Sequence, residues 1–312
     1  MKVLCTAPVG GFPKTIDFLN QNSDVTFIEY PPYEELEKII HMFDGFMPNA
    51  RTKVDRPLLD KAKNLKVIYQ PSLGRDHIDE QACKDKGIQV EGLVDDKNFQ
   101  KTLWTTAEFT MGHILTITKR LNDSYSKVLD SGAWKNIDYI GSDLRGKVVG
   151  IVGYGNVGSK LDHLLSVFGV KTLKCDPYID QIDDTYVDLE YLFKHSDIVS
   201  MHVPLTEETR GMVDYGKLSL MSSGFFVNAS RGPVLNDLDL IKAMDKGYVE
   251  SAALDVLNNE SPFGVEGHCL VDYARQNPRL FITPHIGGTT YEYLDKIFLH
   301  SAQRLISNLK SI

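Results

Sequence analysis

Three side chains able to move a proton or hold an anion each stand just past an apolar, strand-like run. Arg231 follows Phe226-Val227-Asn228-Ala229-Ser230, Glu260 follows Leu254-Asp255-Val256-Leu257, and His285 lies between Phe281-Ile282-Thr283-Pro284 and Ile286-Gly287-Gly288. Arginine offers a planar fork that matches a carboxylate. A histidine beside a carboxylate is stabilised as the imidazolium and can carry a proton near neutral pH. Taken singly, each has a plainer reading: a surface arginine before a Gly-Pro turn, a loop carboxylate, and a hydrogen-bonded histidine after a proline. Sequence separation does not by itself bring them together. A parallel sheet would, because its strands deliver their C-terminal ends to one edge, where open α/β sheets bind ligands.

The element expected to organise that sheet is residues 147–160, KVVGIVGYGNVGSK. The run Val148 to Val152 suits a buried strand, and Leu161, Leu164, Leu165 and Phe168 recur with helical spacing after it. Between them lies Gly153-Tyr154-Gly155-Asn156-Val157-Gly158. Gly153 suits the turn, Gly155 lets backbone approach a pyrophosphate, and Gly158 allows close contact of helix and strand. The amides and dipole at the start of the helix then suit an anion. Glycines also punctuate ordinary turns, so the context carries the argument. Asp176 closes the next apolar run, Val170 to Cys175, eighteen positions after Gly158, about where a ribose-binding acid belongs. A dinucleotide fold changes the reading of the three polar residues. Oxidising a hydroxy acid needs a group to take the hydroxyl proton, a cation to hold the carboxylate and polarise the carbonyl, and a nicotinamide to accept hydride.

Composition sets the bounds. A chain of 312 residues suits two domains, and 42% hydrophobic with 24% charged residues is ordinary for a soluble globular protein. A formal net charge of −8 gives no sign of a nucleic-acid surface. No apolar run approaches membrane-spanning length, and the N-terminus enters a strand-like pattern directly, so a secretory signal is not expected and a cytoplasmic location is. Cys5, Cys83, Cys175 and Cys269 are scattered without a CxxC pair, and the nine histidines show no HExxH, so neither a disulfide framework nor a metal site is expected.

In chain order, short apolar runs alternate with helical patterns. Lys2–Cys5, Val25–Ile28, Phe46–Met47, Leu65–Tyr69 and Ile88–Val90 read as strands of a first α/β domain. Residues 91–102 read as a loop without a clear period, and Trp104 to Leu121 as a largely buried helix. A polar stretch then leads to the glycine turn. Further strands are expected at 170–175, 197–202, 225–228, 251–256 and 280–283, and a long amphipathic helix at 291–309 that could cross back to the first domain.

At these residues the chain resembles the D-isomer-specific 2-hydroxyacid dehydrogenase family. The motifs that carry the resemblance span nearly the whole chain: Ser72-Leu73-Gly74-Arg75-Asp76-His77-Ile78-Asp79, Thr106-Ala107-Glu108, Asp143-Leu144-Arg145-Gly146-Lys147, His202-Val203-Pro204-Leu205-Thr206, Asn228-Ala229-Ser230-Arg231-Gly232, Ala253-Leu254-Asp255-Val256 with Glu260, and Thr283-Pro284-His285-Ile286-Gly287-Gly288. The resemblance implies a Rossmann cofactor domain, residues 102–284, inserted in a flavodoxin-like substrate domain, residues 1–101 and 285–312. It implies His285 as general acid/base, Glu260 as its partner and Arg231 as the substrate anchor, with Ser72, Leu73 and Gly74 holding the substrate carboxylate. NAD would contact Gly153 to Gly158, Asp176, Val203, Pro204, Thr209, Ala229, Ser230, Thr106 and, at the carboxamide, Asp255. NAD is expected over NADP because Asp176 would repel a 2′-phosphate and Pro177-Tyr178-Ile179-Asp180 offers no compensating base. Members are commonly homodimers through the cofactor domain. The expected partner is therefore a small 2-oxo or 2-hydroxy acid, with no nucleic acid and no membrane. The alternative class is an NAD(H)-sensing binding protein or corepressor on the same scaffold; a formate dehydrogenase fits less well, since that group lacks the carboxylate seen here as Glu260.

Three departures from the family pattern stand out. The connection between Val90 and Ala107 is longer than usual, Ser261 stands where proline often follows the glutamate, and Pro48-Asn49-Ala50-Arg51 is less basic than in phosphate-handling relatives. Asn49 or Arg51 would face the substrate side chain.

Overall fold

The computed structural model describes residues 1–49, 51–179, 183–260 and 264–312, so Ala50, Asp180 and Ser261, named above, lie outside the described residues. Two compact units account for the chain, Met1–Leu103 with Thr289–Ile312, and Trp104–Gly288.

The first unit is built on β1 (Lys2–Cys5), β2 (Asp24–Phe27), β3 (Gly45–Met47), β4 (Val67–Gln70) and β5 (Gln89–Gly92), all parallel in the order β2-β1-β3-β4-β5. That is the flavodoxin-like order, with its topological switch between β1 and β3. Alternate residues supply the two faces. Val3 and Cys5 join one core cluster and Leu4 the other, as a period of two requires. The C-terminal helix Tyr291–Ser311 closes one face with Ile297, Phe298, Ala302, Leu305 and Ile306. Burying each of the larger of these contributes about 1.5–3 kcal/mol. The interval 91–102 contains an ordered turn of helix, Lys97–Gln100, which the lack of a period did not suggest. Asp96 caps it by accepting from the Phe99 amide at 2.9 Å, and the Phe99 ring stacks on His300 of the terminal helix with centroids 3.8 Å apart.

The second unit carries β6 (Val148–Val152), β7 (Lys171–Cys175), β8 (Ile198–Met201), β9 (Gly224–Asn228), β10 (Val249–Leu254) and β11 (Leu280–Ile282), parallel in the order β11-β10-β9-β8-β6-β7. A bridge between Lys174 and Tyr186 extends the sheet beyond β7, where the dinucleotide-binding order 3-2-1-4-5-6 has its outermost strand. The pairing registers put Cys175, Val152, Met201, Asn228, Leu254 and Ile282 in one row across the sheet. Each strand therefore reaches the carboxyl edge at the same level. The next residues along that edge are Asp176, Gly153, His202, Ala229, Asp255 and Thr283.

Two features differ from the sequence reading. The helix expected from Trp104 to Leu121 runs only from Thr105 to Thr118, and a second helix, Leu121–Ser131, occupies the stretch read as polar connection. Arg120 sits between them in the left-handed region at φ 55°, which ends the first helix and lets the next start in a new direction. Leu121, Tyr125 and Leu129 recur every four residues in the second helix but are exposed, so its apolar face lacked a burial context that would single it out. The second unit also runs on to Gly288, past the 284/285 point, because the Ile286 and Gly287 amides are tied to Asp255.

Candidate active site

The glycine turn is shaped by what it cannot hold. Gly153 has φ +88°, and a Cβ there would come within 2.6 Å of the His202 carbonyl oxygen. A Cβ on Gly158 would overlap the carbonyl oxygen of Gly153 itself. The helix Asn156–Ser166 therefore starts flush against the end of β6, with its first amides open to an anion. Asp176 leaves the neighbouring β7 and accepts from the Tyr154 amide at 2.8 Å and the Tyr178 amide at 3.0 Å, which aims its carboxylate at the turn. The cradle and the acid fit the diphosphate and ribose of a dinucleotide. The Tyr154 ring is fixed from behind, its hydroxyl donating to Asp162 at 2.5 Å with Lys174 3.3 Å from the same oxygen. No motif pointed to Asp162.

Val203 and Pro204 follow β8, and Thr209 closes that loop by donating to the Pro204 carbonyl at 2.6 Å and accepting from the Thr206 amide at 2.8 Å. Thr106 lies in the first turn of the helix Thr105–Thr118, where its carbonyl accepts from Thr110 at 2.7 Å. At the end of β9 the fully buried Asn228 builds the next turn. Its side-chain Oδ1 accepts from the amide and hydroxyl of Ser230, and its Nδ2 donates to the Arg231 carbonyl at 3.0 Å. Ala229 and Ser230 thus line the edge, and Arg231 is presented half-buried beyond it. Gly232 is required there, since a Cβ would overlap the Leu257 carbonyl on the adjoining loop.

His285 is held in the left-handed region, at φ +56°, a conformation unusual for a residue with a side chain. Asp255 supplies the restraint. One carboxylate oxygen accepts from the Thr283 hydroxyl at 2.6 Å and the Ile286 amide at 2.9 Å, and the other from the Gly287 amide at 2.7 Å. Burial raises the pKa of this carboxyl, and those three donors act against the rise. Asp255, expected to meet a nicotinamide, thus also clamps the loop on both sides of His285. Beneath the clamp, His113 lies 3.2 Å from the Thr283 hydroxyl through Nε2, and burial pushes its pKa down to about 4.

The acid–base pair itself is direct. His285 Nδ1 is hydrogen-bonded to Glu260 Oε1, and Glu260 Oε2 accepts from the Leu257 amide at 3.2 Å. Both side chains are about one-third exposed. With Nδ1 committed to a carboxylate, Nε2 is the nitrogen that can exchange a proton with a ligand. Arg231, Glu260 and His285 therefore all issue from the carboxyl edge of one sheet, past three adjacent strands.

In the first unit, Ser72 accepts from Gln70 Nε2 at 2.7 Å and donates to the Gly74 carbonyl at 2.9 Å, which folds the loop bearing Leu73 and Gly74 at the end of β4. Asn49 is buried and spends its side chain on its own loop, accepting from the Arg51 amide at 2.8 Å and donating to Thr52 at 2.5 Å. Arg51 is exposed.

Comparison with known proteins places the chain in a family. Residues 111–287 match the model of a family described as D-isomer specific 2-hydroxyacid dehydrogenase, NAD binding domain. The chain is 32% identical over 284 residues to a hydroxypyruvate reductase of Thermotoga maritima, covering 90% of each chain. It is 34% identical over 299 residues to a glyoxylate reductase of Thermofilum pendens, covering 90% of this chain and 83% of that one. Among solved structures, the D-lactate dehydrogenase of Aquifex aeolicus complexed with NAD and lactic acid superposes with a TM-score of 0.85 at 26% identity, covering 100% of this chain and 96% of that one.

Proposed function

The chain belongs to the D-isomer specific 2-hydroxyacid dehydrogenase family and is an NAD-dependent oxidoreductase, and from that premise we propose that Arg231, Glu260 and His285 interconvert a small 2-oxo acid and a D-2-hydroxy acid. The observation that carries the assignment is the bond from His285 Nδ1 to Glu260 at the strand ends that also present Arg231. In the reductive direction, Nε2 of His285 gives its proton to the alkoxide developing at substrate C2, while Glu260 stabilises the imidazolium and fixes the ring. Arg231 holds the substrate and draws electron density from its carbonyl. NAD, when bound, supplies or accepts the hydride at C2. The Leu73 and Gly74 amides are assigned to the substrate carboxylate, and Asp176 to the adenosine ribose.

Relatives named for hydroxypyruvate and glyoxylate favour a short substrate side chain. NADH oxidation over glyoxylate, hydroxypyruvate, pyruvate and bulkier 2-oxo acids tests the proposal. Turnover of one of the small acids is expected; tight NADH binding with no turnover on any would instead make the chain a sensor. Four free cysteines suit a reducing compartment such as the cytoplasm, and among the described residues no helix is long and apolar enough to cross a membrane.

We further assign the exposed apolar face of the helix Leu121–Ser131, continued by Trp134, Ile137 and Ile140, to contact with a second copy of this chain. Trp134 is 88% exposed, and so large a ring is seldom left in water without a partner. Light scattering should give a dimer that Leu129→Lys with Trp134→Asp converts to monomer. A monomeric wild type at micromolar concentration would rule this out.

A further inference from the structure

Resting on the roles given above to Arg231, Glu260 and His285, we propose that Asp237, Asn258 and His268 are positioning residues that form a hydrogen-bonded bracket between the segment carrying Arg231 and the loop carrying Glu260. The side-chain amide of Asn258 donates to the Leu235 carbonyl at 3.0 Å and to Asp237 Oδ1 at 2.8 Å, which spends both of its N–H groups. Its backbone carbonyl faces His268 Nε2 at 3.0 Å, and the same nitrogen is 3.4 Å from Asp237 Oδ2. His268 caps the helix Cys269–Gln276, accepting at Nδ1 from the Leu270 amide at 3.3 Å. That acceptor role leaves the ring proton on Nε2, where it points at Asn258 and Asp237.

The bracket lies between the catalytic groups in the chain and in space. Gly232, directly after Arg231, packs so closely that a Cβ would overlap the Leu257 carbonyl and stand 2.6 Å from the Asn258 nitrogen. Two residues beyond Asn258, Glu260 is bonded to the Leu257 amide and to His285. A shift of the loop at Asn258 therefore moves the carboxylate that orients His285. Misplacement by about 1 Å can cost about a hundredfold in rate, so bracing of this kind acts on turnover.

A competing reading of the same residues is a metal site, because ligand atoms of Asp237, His268 and Cys269 lie within 4.8 Å of one another. A metal on Nε2 would force the ring proton onto Nδ1, against the Leu270 amide, whereas ligating histidines donate from the second nitrogen to an acceptor. The hydrogen-bond pattern is that of a bracket.

The test uses His268→Ala and Asn258→Ala, with His268→Gln retaining a donor near the Nε2 position. The readouts are kcat and KM for the preferred 2-oxo acid, the NADH dissociation constant, and the low-field proton resonance of His285 Nδ1, identified by its loss in His285→Gln. Both alanine variants should lose about tenfold in kcat, keep the NADH constant within about twofold and weaken the resonance; His268→Gln should restore both signals. In a Glu260→Gln background, His268→Ala should cost less than about twofold more, because the group it positions is gone. An unchanged kcat and resonance in folded variants, or an equal loss in the Glu260→Gln background, overturns the bracket. So does tight Zn²⁺ binding by calorimetry that Cys269→Ser abolishes. Should the alanine variants unfold, the same readouts on Asn258→Ser decide it. The resonance needs no substrate, so absence of turnover in the wild type would defeat the proposed activity while leaving the bracket to be decided by the spectrum.

Discussion

The two ends of the second sheet's carboxyl edge solve the same problem of placing polar groups in opposite ways. At β6 and β7 the site is made by omission: Gly153 and Gly158 leave space that backbone fills, and Asp176 needs only two backbone amides to be aimed. At β9 to β11 it is made by buried side chains. Asn228 builds the Arg231 turn, and Asp255 holds His285 in a strained conformation with three donors. The first arrangement is mainly steric: most of it lies in one strand, turn and helix, with the Gly153 turn set against His202 after β8 and the acid supplied by the end of β7. The second joins a tight turn around Asn228 to the Asp255 contacts, which link residues about thirty positions apart, and each group must keep its partner.

That contrast can be broken at either end. The largest effect should come from His285→Gln, which leaves the glycine cradle intact. We expect kcat to fall by about a hundredfold or more with the NADH dissociation constant unchanged within about twofold; near-normal turnover would remove His285 from the chemistry. Next, Asp176→Ser should lower the preference for NADH over NADPH by about tenfold, by removing an acceptor for the ribose and a charge facing a 2′-phosphate, while kcat with saturating NADH stays close to wild type. An unchanged ratio of the two efficiencies would put the discrimination elsewhere.

A third effect, on stability and not on turnover, sharpens the comparison by probing only the buried side-chain end. The pKa of His113 is lowered from 6.5 to about 4 by burial, so the unfolded chain takes up a proton there before the folded one does. Its contribution to stability is thus present above pH 6.5 and is lost as pH falls towards 4. His113→Leu lacks that titration. The unfolding free energy of the variant relative to wild type should rise by about 2 kcal/mol between pH 7 and pH 5, read by denaturant unfolding at each pH. A difference that does not change with pH would mean that His113 titrates normally.

Much of the fold was legible because buried parallel strands read as short apolar runs and the helices between them keep a helical period. Both sheets follow from that pattern. The helix Leu121–Ser131 was not legible, because its apolar face is exposed and its polar residues dominate the local composition. Of the site, Arg231, Glu260 and His285 stood out by type and by position after strands. Asn228, His113 and Asp162 did not, since a buried polar residue has no local mark until its partner is known, and each partner here comes from another element or from the far end of a turn.

The sequence by itself determined the nucleotide cradle. Glycine spacing acts through backbone sterics within a single strand, turn and helix, and the acid follows at the end of the next strand, so the information lies in one contiguous β-α-β segment. Only the tertiary structure decided that Asp255 clamps the loop around His285 and that Gly232 lies against the Glu260 loop, and it gave atoms to the Glu260–His285 pairing that the family resemblance implied. The physical reason is register: the row from Cys175 to Ile282 brings six separate strand ends to one level, and only then do hydrogen bonds of about 3 Å or less become possible between residues that the chain keeps far apart.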